Sequence, residues 1–211
     1  MIQKFLNRVQ AGQMLAHRLE AYKNNMDVLV LALPRGGVPV AFEVATHLNV
    51  PLDVCIVRKL GVPGHKELAM GAIAGEKIIV LNQDIIDSLG IDQEQINQVI
   101  NQELQELKRR DQVYRGHKPP VNVHNKIVIV IDDGIATGAT IRAAIAILRR
   151  QQPKKIIVAV PIASLGIYEE FCLEVDDVVC LQSPKFISAI GWWYEDFTQT
   201  TDQEVRVLLG N

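Results

Sequence analysis

Residues 127–144, IVIVIDDGIATGATIRAA, set the architecture of this chain. Five consecutive β-branched apolar residues without polar alternation predict a strand that is covered on both faces. The strand ends in Asp132 and Asp133, and a loop of small residues then leads into an amphipathic helix that begins near Thr140. An uncompensated buried carboxylate is costly and tends to take up a proton, so two adjacent ones need a ligand or solvent. The stretch therefore predicts a strand, loop and helix with a binding site at the carboxyl end of the strand.

The rest of the chain continues this alternation of strand and helix. Four further strands are predicted, at 28–33, 54–57, 156–160 and 178–181. The expected fold is α/β, with a mostly parallel five-stranded sheet and helices on both faces. Ligands of such sheets bind outside the carboxyl ends of the strands, near a switch in strand order. Loops are expected at such ends at 34–37, 58–71 and 132–140.

A chain of 211 residues suits one domain, so we expect a single unit over 1–211. An opening helix is predicted within 2–25, and a hairpin at 72–81. A helical insertion at about 82–118 contains a long helix, which a capping box of Asp92 and Gln95 would start. The insertion separates the second strand from the central one.

Composition and charge exclude several classes of partner. The 22 basic and 24 acidic residues give a net charge of −2, which favours neither nucleic acid nor an anionic membrane. No apolar run approaches the roughly 20 residues that a membrane span needs, and the first residues lack the pattern of a signal peptide. The three cysteines lie in apolar runs and are expected to be buried, reduced thiols. A cytoplasmic protein is the expectation.

The loop after the central strand predicts a phosphorylated sugar as ligand. Amides at the start of a helix, with the hydroxyls of Thr137 and Thr140, form a cradle for a phosphate monoester. Asp132 and Asp133 would accept hydrogen bonds from hydroxyl groups. A nucleoside triphosphate loop is excluded, because the sequence has no GxxxxGK[ST] motif.

The stretch VIVIDDGIATGAT resembles the signature by which type I phosphoribosyltransferases bind 5-phosphoribosyl-1-pyrophosphate (PRPP). The resemblance implies that Asp132 and Asp133 hold the ribose 2- and 3-hydroxyls. It assigns the 5-phosphate to Ala136, Thr137, Gly138, Ala139 and Thr140. LPRGGVPVA is similar to the pyrophosphate loop of the family, which often has a non-proline cis peptide, and this similarity assigns pyrophosphate to Arg35, Gly36 and Gly37. Glycines expose backbone amides and an arginine matches phosphate oxygens.

The segment VRKLGVPGHKELAMGAI resembles the RKxGxxPG segment of adenine phosphoribosyltransferases, although it is one residue shorter. In those enzymes a flexible loop closes over the substrates, which keeps water from a reactive sugar cation. By this resemblance the catalytic candidates are Lys59, near the pyrophosphate or the 5-phosphate, and Glu67, as acid or base. We expect Arg58 and Lys59 to end the second strand.

The acceptor is not defined by the motifs. Enzymes for 6-oxopurines carry an aspartate where this chain has Ala136 and a lysine where it has Val160, so hypoxanthine and guanine are disfavoured. A C-terminal segment at about 183–211 takes the place of the hood that reads the base in many members. Trp192 and Trp193 would stack on a planar acceptor there. The alternative is that these rings close a core or a dimer interface.

The whole chain resembles bacterial phosphoribosyltransferase-like proteins that share its PRGG, RKLG, DDGIATGAT and WYEDF elements. The resemblance implies transfer of a 5-phosphoribosyl group from PRPP to a small nitrogenous acceptor, such as a nucleobase, with release of pyrophosphate. Mg²⁺ is expected as cofactor, held through PRPP with help from Asp132 and Asp133 rather than by a dedicated protein cage. A homodimer is expected from the habit of the family. The alternative is a regulatory protein that binds PRPP or a nucleotide without turnover; a hydrolase or phosphorylase would need an activated water that no residue here explains.

Overall fold

The computed structural model describes residues 4–75, 78–116 and 118–210, without the side chains of residues 66 and 67. The helices are α1 (Arg8–Arg18), α2 (Gly37–Leu48), α3 (Gln83–Leu89), α4 (Gln93–Arg115), α5 (Ala139–Arg149), α6 (Leu165–Glu174) and α7 (Asp202–Leu208). The strands are β1 (Val28–Ala32), β2 (Leu52–Val54), β3 (Arg58–Val62), β4 (His65–Ala74), β5 (Ile78–Leu81), β6 (Ile127–Ile131), β7 (Lys155–Ile162) and β8 (Asp177–Gln182). Short 3-10 turns follow α1 and precede α7, at Glu20–Tyr22 and Ile190–Trp193.

The main sheet has five parallel strands in the order β2-β1-β6-β7-β8, which confirms the predicted α/β fold. β6 is the central strand, and all five of its residues are buried. Alternate residues of the strands point to opposite faces, so Ile129 packs with α1 and α2 whereas Val130 packs with α5 and α6. Both faces of the sheet are therefore covered, as the unbroken apolar runs predict.

A second sheet, formed by residues between β2 and β6 in the sequence, corrects two predictions. β3, β4 and β5 form an antiparallel sheet in that order, so the segment expected as an open loop at 58–71 is a β-hairpin with a turn at Pro63 and Gly64. Arg58 and Lys59 open β3 instead of ending the second strand, which closes at Val54. The apolar residues 55–57 misled the prediction because they are buried in a connection. Burial alone does not distinguish a strand from a covered linker.

Helix α4 confirms the predicted long helix of the insertion. Its start carries the predicted capping box, in which the backbone N–H of Gln95 donates to Asp92 Oδ1 at 2.8 Å. At its other end Arg115 Nε lies 3.0 Å from Oδ1 of the buried Asp53, so the helix is fixed to β2 by a buried ion pair. Among the described helices, none is both long and apolar enough to cross a bilayer.

The first described residues pair with the segment that follows the second 3-10 turn. The backbone N–H of Phe5 donates to Trp193 O, and the N–H of Glu195 donates to Phe5 O. Phe5, Trp193 and Tyr194 form a small buried cluster with Ala11 and Ile162. The cysteines only partly meet expectation: all three are free thiols, but Cys172 is exposed on α6 and Cys180 is partly exposed.

Candidate functional site

Three chain segments converge at one edge of the main sheet. Ala32 at the end of β1 pairs with Ile131 on one side and with Val54 on the other, so the residues that follow all three strands emerge together. The backbone N–H of Leu33 extends this pairing to Ile131 O at 2.8 Å. The strand order also reverses here, because β1 lies between its successor β2 and the distant β6. The predicted loops after β1 and β6 therefore open at the switch point, where ligands of parallel sheets bind.

The two glycines after β1 lie directly against the carboxylates after β6. A Cβ atom on Gly36 would lie 2.1 Å from Asp133 Oδ2, and one on Gly37 would lie 2.6 Å from the carbonyl oxygen of Ile131. Any larger residue would displace the carboxylate or the end of β6. The peptide bond between Pro34 and Arg35 is cis, as the resemblance implied for this loop. The glycines thus bring the predicted pyrophosphate and ribose segments into contact.

Arg8 of α1 binds Asp133, and the sequence analysis missed it. Its Nε and Nη2 lie 2.9 and 2.8 Å from Asp133 Oδ2, and its Nη1 donates to Thr198 O at 2.8 Å. The guanidinium also lies over the ring of Phe197, 3.9 Å from the centroid. The partners are 125 residues apart in sequence. No local pattern marks Arg8, since it occupies an ordinary position in an amphipathic helix.

The C-terminal segment completes the surroundings of Asp133. The hydroxyl of Tyr194 donates to the backbone oxygen of Asp133 at 2.7 Å, and Ile190 packs so closely that a Cβ on Gly134 would lie 2.7 Å from it. Trp193 is buried, which favours the core alternative for this ring, whereas Trp192 is 72% exposed. The two tryptophans therefore have different environments, and only Trp192 leaves a ring face open.

Burial raises the pKa of both carboxyl groups of the pair. For Asp132 the rise is large, because burial and the neighbouring Asp133 both oppose ionisation. For Asp133 burial also raises the pKa, and the Arg8 guanidinium partly opposes this rise. The backbone N–H of Asp133 donates to Asp132 Oδ1 at 2.9 Å. Asp133 thus has a cationic partner, whereas Asp132 has a backbone amide. A ligand with hydroxyl donors, or a cation, would offset the free-energy cost of burying the Asp132 carboxylate.

The loop at 136–140 forms the start of α5. Gly138 adopts a left-handed conformation with φ of 76° and a Cβ there would meet the ring of Phe171, so glycine is required. Thr137 and Thr140 are exposed at this helix start. The backbone N–H of Ile135 donates to Ile162 O at 2.8 Å, which ties the loop to β7. The exposed hydroxyls beside this helix start are suited to binding a phosphate.

A cleft of about 520 Å³ opens beside this edge of the sheet. Pro34, Lys59, Thr140 and Glu103 of α4 are among its lining residues. Within it Arg58 Nε donates to Glu103 Oε2 at 2.6 Å. Lys59 also lines a second cavity, of about 810 Å³, between α5 and the antiparallel sheet.

Two further predicted residues, Arg35 and Glu67, are not shown in contact with the carboxylate pair. Arg35 Nη1 lies 3.5 Å from Asp202 Oδ1 of α7, which also accepts from the hydroxyl of Tyr114 at 2.8 Å. Glu67 lies in β4, but its side chain is outside the described part of the structure. The acid or base assigned to it therefore stays a prediction.

Comparison with known proteins matches the chain to a family of transferases. Residues 1–192 match the model of the phosphoribosyl transferase domain. Two curated relatives from Mycobacterium tuberculosis, of strains CDC 1551 / Oshkosh and ATCC 25618 / H37Rv, are each 45% identical over 205 residues. The match covers 97% of this chain but 46% of theirs, so the chain spans about half their length. Their names give phosphoribosyl transferase as a provisional assignment.

A solved structure extends the similarity to the whole fold. The crystal structure of TT1426 from Thermus thermophilus has a TM-score of 0.89 to this chain at 36% identity, with 98% of each chain covered. The fold is therefore shared with a protein whose structure was determined by crystallography. Since the family model covers most of the sequence, this chain belongs to the phosphoribosyl transferase family.

Proposed function

We propose that this chain transfers a 5-phosphoribosyl group from PRPP to a small nitrogenous acceptor and releases pyrophosphate. The observation that carries the proposal is the carboxylate pair at the switch point. Asp132 and Asp133 are held beside the helix start of α5, and burial raises the pKa of both. A ribose 5-phosphate matches this arrangement, since its hydroxyls can donate to the carboxylates while its phosphate accepts from the loop at 136–140.

In this proposal the chain acts by placing and neutralising the donor. Amides at Gly36 and Gly37, with Arg35 and Lys59, would bind the pyrophosphate. The C1–O bond to pyrophosphate breaks while a C1–N bond to the acceptor forms, and the acceptor loses its proton to a base or to water. Positive charge develops on the sugar, so precise placement matters more than activation of the acceptor. Glu67 is the proposed base.

The site residues also suit Mg²⁺. Hard carboxylate oxygens are the ligands that this ion prefers, and it needs few of them from the protein. Asp132 would contribute one carboxylate oxygen to the ion. Asp133 would contribute Oδ1, because Arg8 contacts its Oδ2. When bound with PRPP, the ion would neutralise charge on the departing pyrophosphate.

A regulatory role is the second candidate, and a specific observation favours it. Arg35, one of the candidate cations, already contacts Asp202 of α7, and Arg58, the neighbour of Lys59 in the chain, contacts Glu103 of α4. A protein that only senses PRPP has less need for leaving-group cations. Turnover, rather than binding, distinguishes the two functions.

Calorimetry with PRPP and Mg²⁺ tests the binding claim, and pyrophosphate release across a panel of bases and amines tests turnover. The double variant Asp132→Asn/Asp133→Asn should bind PRPP at least about 100-fold more weakly, because two charged hydrogen-bond acceptors are lost. Asp87→Asn, on the exposed side of α3, is the matched control. Unchanged affinity in the double variant would refute the assignment of the ribose, and binding without release for every acceptor would favour the regulator.

A further inference from the structure

A cluster of metal-ligating side chains lies at the end of α1 and α2, away from the residues of the proposed donor site. It consists of His17 in the last turn of α1, Glu20 in the following 3-10 turn, and His47 in the last turn of α2. One ligand atom of each lies within 4.8 Å of the others. Two imidazoles and a carboxylate are a donor set typical of borderline transition metals. The proposed transferase reaction leaves the cluster without a role.

The packing of the two helices holds these side chains together. A Cβ on Gly12 would lie 2.7 Å from Val40 O and 2.8 Å from Glu43 Cβ, so α1 touches the backbone of α2 at a glycine. At the next position Gln13 Nε2 donates to Glu43 Oε2 at 3.1 Å. One turn later on both helices, the same alignment places His17 beside His47, with ring centroids 5.0 Å apart. The two histidines therefore project from a rigid contact.

The ligand atoms need only small rotations to enclose an ion. His47 Nε2 already forms a hydrogen bond with Glu20 Oε2. In a tetrahedral site with metal–ligand distances near 2.1 Å, ligand atoms are about 3.4 Å apart. The present separations exceed this value by roughly 1.5 Å at most, by the same geometry. All three side chains are at least partly exposed and can turn toward a common centre.

The electrostatic surroundings favour a cation. The last turns of α1 and α2 both end here, and helix carboxyl ends carry partial negative charge. The Glu20 carboxylate adds a negative charge, and its Oε2 forms the hydrogen bond with His47. Lys23 Nζ occupies the other carboxylate oxygen, Oε1, at 3.0 Å, and its exposed side chain can move into solvent as an ion enters. Imidazole nitrogens select Zn²⁺ and similar ions over Mg²⁺ and Ca²⁺.

We propose that His17, Glu20 and His47 form a site for one divalent transition-metal ion, in the first place Zn²⁺, with water in the remaining coordination position. The ion bridges α1 to α2 and so fastens the helix that carries Arg8. This site is independent of PRPP binding and of the proposed transferase activity.

The test is a titration of tag-free protein with Co²⁺, which reports tetrahedral coordination by its visible absorption, followed by competition with Zn²⁺. Wild type should bind one equivalent and show the bands, and Zn²⁺ should abolish them. His17→Ala, Glu20→Gln and His47→Ala should each weaken binding at least about tenfold. His124→Ala is the matched control, because His124 is an exposed histidine far along the chain. Circular dichroism establishes that the variants are folded.

Two results would overturn the proposal. One is a wild-type protein without saturable binding of Co²⁺ or Zn²⁺ at one equivalent. The other is binding that survives in Glu20→Gln and in both histidine variants, or that is lost in His124→Ala, since the ion would then lie elsewhere. Zn²⁺ should also raise the melting temperature of wild type but not of His47→Ala.

Discussion

The two sides of the proposed site differ in how their charges are balanced before any ligand arrives. On the side of β6, Asp132 has a backbone amide as partner and a strongly raised pKa, and only Asp133 has a cation. On the opposite side, Arg58 and Arg35 already contact Glu103 and Asp202. The carboxylate side is thus under-compensated, whereas these two arginines are paired with carboxylates of helices outside the main sheet.

This difference separates two ways in which a site can prepare for an anionic sugar. Under-compensated carboxylates gain hydrogen bonds when a ligand binds, so part of the binding free energy is stored as a cost to the unliganded fold. Arginines that already have a carboxylate partner must instead exchange this partner for a phosphate. At a partly exposed site the free energies of the two ion pairs are nearly equal, so the exchange contributes little to binding. We therefore expect substitutions on the carboxylate side to have large effects and those on the cationic side small ones.

Arg8→Met should have the largest effect, because it leaves the largely buried carboxylate of Asp133 without its cation. We expect the free energy of unfolding, measured by urea denaturation, to fall by about 3–5 kcal/mol. PRPP affinity should fall as well, since Asp133 loses its orientation. Adding Asp133→Asn should restore much of the stability, and Arg18→Met, at the exposed end of α1, should change little. Equal losses in the single and double variants would show that the pair does not act as a unit.

Gly37→Ala tests the contact between the two sides. The new Cβ would lie 2.6 Å from Ile131 O and 2.9 Å from Asp132 Cα, and backbone cannot yield easily. The free energy of unfolding should fall by about 1–3 kcal/mol, with weaker PRPP binding in calorimetry. Gly166→Ala is the control because a Cβ there meets nothing within 4 Å. If Gly37→Ala behaves like this control, the close approach is unimportant.

Asp132→Asn should stabilise the protein, by about 0.5–2 kcal/mol at neutral pH. A carboxyl group whose pKa is raised in the fold costs nothing below its unfolded pKa; the cost grows as the pH rises above that value and is complete above the folded pKa. The gain from the variant should therefore be largest at neutral pH and shrink as the pH falls toward 3.8, the ordinary value. Thermal melts across this range measure it. A gain that is independent of pH would argue against ionisation of Asp132 as its cause.

Glu103→Gln should have the smallest effect, and it should strengthen ligand binding, whereas Arg8→Met and Gly37→Ala should weaken it. It releases Arg58, so affinity for pyrophosphate should increase up to about fivefold, the equivalent of about 1 kcal/mol for a partly exposed pair. The increase should diminish at high salt. Glu94→Gln is the matched control, because Glu94 is exposed in the first turn of the same helix. Weaker binding by Glu103→Gln would show that the carboxylate itself takes part in the site.

Features that depend on neighbours along the chain could be predicted from the sequence. The buried β6, the carboxylates that end it, the small-residue loop and the start of α5 all lie within 127–144, and periodicity and helix-capping rules apply at that range. The capping box at Asp92 followed from the same local chemistry. The parallel sheet followed from the alternation of such units.

Which distant groups meet became clear only from the tertiary structure. Arg8 reaches Asp133 across 125 residues, and Trp193 is buried by the N-terminal segment while Trp192 is not. The hairpin of β3 and β4 likewise lies where a loop was expected. Its sequence has no clear alternation of apolar and polar residues, and its strands are defined by their pairing with each other. The physical reason is that local free energies are set by sequence neighbours, whereas charge compensation and burial depend on contacts that the whole fold creates.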